Sequence, residues 1–111
     1  MNEGARGQDT LMLYAIIGEG APGSRAKQLE LMPQHLNRLR ELQDAGRLVL
    51  GGTCPAIDSP DPGPAGYAAG LTVADFDSLE AAVAWADADP QATGGVWSSV
   101  TVRPFVQVRA A

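Results

Sequence analysis

His35 is the single histidine of the 111-residue chain, and it sets what acid–base chemistry the sequence can offer. A neutral imidazole steered by a carboxylate is a workable general base for taking a proton from carbon or oxygen. Two aspartates are candidates for the steering role: Asp58, before Ser59-Pro60, and Asp89, before Pro90. Each also has a purely structural reading, an Asx turn for Asp58 and helix termination for Asp89. For His35 the structural reading is a surface histidine capping its own helix turn. Arg38 follows one turn later and suits an anionic substrate group, though it suits a solvated face equally well. Gly51-Gly52 at a strand end lets a ligand approach the backbone closely, with Gly52 as a candidate substrate contact. No Lys-Ser/Thr follows, so the pair is not a phosphate loop.

Other chemistries are harder to build. Cys54 is the only cysteine, so neither an intrachain disulfide nor a thiolate metal site can be assembled within one chain. With one histidine and no ligand motif, no transition-metal site is expected. No strand–turn–helix elbow presents a serine nucleophile. The expectation is therefore chemistry without metal or cofactor.

These residues must be positioned by a small number of elements. Leu11–Ile17, closed by Gly18, is a short continuous apolar run suited to a central strand. Leu29, Met32, Leu36 and Leu39 recur at helical spacing and predict the buried stripe of a helix ending at Asp44-Ala45-Gly46. Pro33 should kink that helix or begin it anew. Leu48–Gly52 reads as a second strand, and Thr53–Gly66, with four prolines, as a long loop. A third strand runs from Tyr67 to about Phe76. Asp77 and Glu80 have the spacing of a capping box, and Leu79, Ala82, Val83 and Ala86 form the stripe of a second helix stopped by Asp89-Pro90. In the last strand Val96, Val100, Val102, Val106 and Val108 alternate with Trp97, Ser99, Thr101, Arg103, Phe105 and Gln107.

The order strand, helix, strand, strand, helix, strand, with right-handed crossovers, predicts an α+β fold of ferredoxin-like type. It is a four-stranded antiparallel sheet with two helices on one face, formed by residues 11–111 behind a flexible extension, residues 1–10. In this topology His35, Asp58 and Asp89 become neighbours at one edge. The uncovered face would display Trp97 and Phe105, too much apolar surface to leave in water, so a second copy of the chain is expected there.

Composition narrows the partners. Eight Lys+Arg against 13 Asp+Glu give a net charge of -5, with no basic stripe, which argues against nucleic acid. No apolar run approaches the roughly 20 residues of a membrane span, and the N-terminus lacks a signal-peptide core. A cytoplasmic location follows by default.

Several short words fall in a familiar order: Met32-Pro33-Gln34-His35-Leu36, Ala45-Gly46-Arg47-Leu48, Gly51-Gly52-Thr53-Cys54-Pro55-Ala56-Ile57-Asp58, Phe76-Asp77-Ser78-Leu79-Glu80, Trp85-Ala86-Asp87-Ala88-Asp89-Pro90 and Val102-Arg103-Pro104-Phe105. Together, from Met12 to Val108, they resemble the YciI-like family. The resemblance implies a dimeric α/β barrel, in which two ferredoxin-like sheets pack face to face. It also implies recurrent polar residues matching His35 and one or more of the aspartates. Some relatives of that fold act without a cofactor on chlorinated or lactone intermediates of aromatic breakdown, as dehydrochlorinases or isomerases. At Gln91 the chain differs, since relatives often carry an aromatic residue there.

Two functional readings follow. One is a cofactor-free lyase or isomerase acting through a His-Asp pair on a small cyclic or aromatic-derived acid. The other is a non-catalytic ligand-binding or assembly module. A monooxygenase of the same fold would need further histidine or aromatic lining, which the chain lacks.

Overall fold

The computed structural model describes residues 12–109; the extension expected over residues 1–10 lies outside them. Four strands, β1 (Leu13–Gly20), β2 (Leu48–Pro55), β3 (Tyr67–Asp75) and β4 (Trp97–Phe105), form one antiparallel sheet in the order β2-β3-β1-β4. A long helix, α1 (Arg25–Asp44), joins β1 to β2. A helix α2 (Leu79–Asp87) and a one-turn helix α3 (Pro90–Thr93) join β3 to β4.

Alternation along the strands sorts the side chains. Tyr14 and Ile16 of β1, Ala74 of β3 and Val100 and Val102 of β4 point to one face and meet Leu42 of α1 and Ala82 and Ala86 of α2. Small residues on α2 let it lie close to the sheet, and Phe76 and Trp85 fill the remaining space at 5.9 Å between ring centres. All helices thus cover one face, as the sandwich topology requires.

Four local expectations are corrected. The second strand does not stop at Gly52: Thr53, Cys54 and Pro55 continue the ladder opposite Gly70, Ala69 and Tyr67. Pro55 is tolerated because β2 is an edge strand. The long loop is correspondingly shorter and holds a 3-10 turn at Gly63–Ala65.

Helix α1 neither kinks into two nor buries the predicted stripe. Pro33 sits inside one continuous helix, on its exposed side, where a carbonyl deprived of its donor can meet water. Its fully buried positions are Gln28, His35 and Leu42, whereas Leu29 and Leu36 are 56% and 46% exposed. His35 takes the inward face with a carboxylate partner, Asp89, and Gln28 with its Oε1 bonded by Arg25, gains that residue type alone does not reveal.

The cap of α2 is Ser78, whose Oγ accepts the Ala81 N–H at 3.0 Å, and not Asp77. Leu79 and Val83 are exposed, leaving Ala82 and Ala86 as the buried pair.

Finally, β4 does not keep one alternation throughout. Its register against β1 slips between Glu19 and Gly20, so that Gly18 pairs with Val100 and Gly20 with Trp97. One extra residue in β4 turns Trp97 to the helix-covered face. Trp97 fits there because Gly18 lacks a side chain, since a Cβ at Gly18 would run into the indole; a Cβ at Gly70 would meet the ring only at ordinary contact distance. Val106 and Val108 lie beyond the strand and are exposed.

Candidate active site

The turn after α2 builds the site. Asp89 caps α3: its Oδ1 accepts the Gln91 N–H at 2.9 Å, and its carbonyl accepts from Ala92 and Thr93. Pro90 at the first helical position fixes the backbone that follows. Helix α3 packs on α1, with Gly94 close against Leu31. That packing brings the other carboxylate oxygen, Oδ2, to His35 Nδ1 at 2.8 Å and to Arg38 Nη1 at 3.1 Å. Asp89 has no exposed surface, and His35 has 8%.

The hydrogen-bond directions follow from the groups. A carboxylate oxygen accepts, so Nδ1–H donates to Asp89 and the lone pair of His35 is left on Nε2. Arg38 donates to the same oxygen and lies over the Trp85 ring at 4.2 Å. Its guanidinium is thus committed within the protein, holding Asp89 in place. Trp97 meets the imidazole edge-on at 5.8 Å and 83°, closing another side of the ring.

His35 opens on a cavity of about 210 Å³ between α1 and the edge strand β2. Met32, Leu36 and Leu39 form its apolar wall, and Gly51, Gly52, Thr53 and Tyr67 form the other side. This groove accounts for the exposed Leu36. A Cβ at Gly52 would meet nothing within 4 Å, so the position leaves the groove open.

His35, Asp89 and Arg38 are therefore brought together, and Gly52 lines the adjoining cavity. Asp58 is exposed in the loop after β2 and takes no part in the hydrogen-bonded cluster. Cys54 is exposed. Sequence reasoning missed Trp97 as a neighbour of His35; the Gly18 and Gly70 pair across the sheet was the available signal. Gln91, singled out in the sequence as the departure from the family's aromatic residue, is 2% exposed, and its carboxamide atoms meet no hydrogen-bond partner among the described residues. Among those residues no group of three His, Cys, Asp or Glu could hold a metal ion, and no helix is long and apolar enough to cross a membrane.

A ferredoxin-like sandwich with a buried His–Asp pair beside a small groove is the class that fold and site define. The YCII-related domain matches residues 12–106, and the chain belongs to that family. Protein YciI of Escherichia coli is 50% identical over 97 residues, covering 87% of this chain and 99% of that protein. A protein of Haemophilus influenzae is 40% identical over 97 residues, with the same coverage. Among solved structures, 5-chloro-2-hydroxyhydroquinone dehydrochlorinase from Burkholderia phenoliruptrix, in complex with 2,5-dihydroxybenzoquinone, is similar at a TM-score of 0.77. At 18% identity, over 87% of this chain and 96% of that one, the likeness is one of fold.

Proposed function

We propose that this chain is a cofactor-independent enzyme of lyase or isomerase type, acting on a small cyclic or aromatic-derived acid. The observation that carries the reading is the 2.8 Å contact between His35 Nδ1 and the fully buried Asp89. Held this way, His35 offers Nε2 as the base. It would take a proton from a carbon next to a carbonyl, whose C–H electron pair passes into the enolate. Collapse of the enolate then either expels a leaving group from the next carbon or accepts a proton at a different carbon. Asp89 supports the imidazolium so formed and does not take the proton itself. A dehydrochlorinase of this fold supports the scaffold's fitness for such chemistry.

The test is turnover. Small lactones and hydroxylated aromatic acids, followed by NMR, should include at least one compound converted by the wild type and not by His35→Asn. Conversion at equal rates by both would remove the reading. An inert protein that binds such compounds would favour the module.

The same reading makes the working unit a cytoplasmic homodimer joined through the face without helices. With Trp97 turned to the other side, Phe105, Ile17 and Leu71 are the half-buried apolar groups supporting this.

A further inference from the structure

The His35 groove is lined by no Lys or Arg, and Arg38 is taken up by Asp89 and Trp85. An acidic substrate must therefore place its charge elsewhere. A second cavity, of about 270 Å³, lies beside the first and shares its Tyr67 wall. It is bounded by the chain from Gly20 to Arg25, by Gln28, and by the segment from Pro64 to Ala68, with no carboxylate among its lining residues.

Two donors belong to it. Arg25 lies over the Tyr67 ring at 5.2 Å and meets no carboxylate among the described residues. Its Nη1 donates to Gln28 Oε1 at 3.2 Å. Gln28 is 8% exposed, and with Oε1 so occupied its Nε2 donors make no hydrogen bond among the described residues. A guanidinium and a carboxamide NH₂ converging on one cavity want an acceptor-rich, negatively charged group. Arg25 is also seated: its stem lies against Gly66, where a Cβ would come within 3.0 Å of Arg25 Cδ.

We infer that Arg25 and Gln28 form the subsite for the carboxylate of the substrate whose ring reacts at His35; this rests on the catalytic reading above. Spacing defines the molecule further. Gln28 and His35 share the inward face of α1 about two turns apart, roughly 10 Å along the axis. A carboxylate directly on a ring cannot reach both ends. The fitting substrate carries its acid on a chain of several bonds from the reacting ring.

Calorimetric titration of the full chain with 4-(4-hydroxyphenyl)butanoate, its primary amide and 4-hydroxybenzoate tests this. The wild type should bind the butanoate about tenfold or more tightly than the amide, and more tightly than the benzoate. Arg25→Gln should bring acid and amide to within about twofold, and Arg25→Lys should retain part of the preference. His35→Asn should keep it. A variant that merely loosens the fold would weaken acid and amide alike, which separates structural damage from loss of the subsite. Equal binding of acid and amide by the wild type, a preference that survives Arg25→Gln or disappears in His35→Asn, or no binding of either compound would overturn the inference. If the acid preference holds while no ring compound is turned over in a His35-dependent way, the catalytic reading falls and the anion subsite stands.

Discussion

Asp89 does three things with two oxygens, and its neighbours predict how substitutions will differ. Replacing His35 by Asn or Gln removes the proposed base and should lower turnover by about 10²–10⁴, measured as the rate on any substrate found. Asp89→Asn keeps an acceptor for the helix cap, since Asn caps as well as Asp. It weakens the bonds from His35 and Arg38, so it should cost less in rate than loss of the base. It should also cost about 1–3 kcal/mol in stability, because hydrogen bonds to charged groups exceed neutral ones; chemical denaturation reads this separately from activity. Gln91 gives the opposite sign. Its carboxamide is buried without a partner among the described residues, so Gln91→Leu, close in size, should raise the melting temperature; a drop of several degrees would show that the amide is satisfied. At this scale the sequence carried His35 and Asp89 as candidates because the topology returns the end of the second helix to the start of the first. It could not choose Asp89 over Asp58. The choice depends on the packing of α3 against α1, and that one-turn helix leaves no periodic signal.

The elements were legible where pattern and burial agree and misread where a polar partner overrides type. Strand β1 and the alanine face of α2 follow from periodicity. The inward face of α1 does not, because Gln28 and His35 displace Leu29 and Leu36 from it. Ser78 and Asp77 were equally good caps by type; only the 3.0 Å bond from Ala81 distinguishes them. Ser78→Ala should therefore cost about 1 kcal/mol, and Asp77→Ala should leave the cap of α2 intact. The extra residue in β4 has the largest consequence, since it moves Trp97 from one face to the other. Gly18→Ala should displace the indole and, as overpacking does, destabilise by about 1–3 kcal/mol. The change in tryptophan fluorescence would report the displacement, and an unaltered spectrum and melting curve would place Trp97 elsewhere.

For the whole molecule, the family and the sandwich were both readable from Met12 onward, because short words in a fixed order survive local errors of face and cap. Light scattering should find a dimer at micromolar concentration, with an interface of about 1,200 Å² or more; a well-folded monomer would remove the second subunit from the account. The proposed role of His35 as a base held by Asp89 is checked by solvent-deuterium exchange. In D₂O the wild type should catalyse exchange of the acidic C–H of a bound lactone or enolisable ring acid, seen as loss of its proton NMR signal. His35→Asn should return the rate to that of buffer with the fold unchanged, and Asp89→Asn should fall between. Exchange by His35→Asn at the wild-type rate would contradict the account.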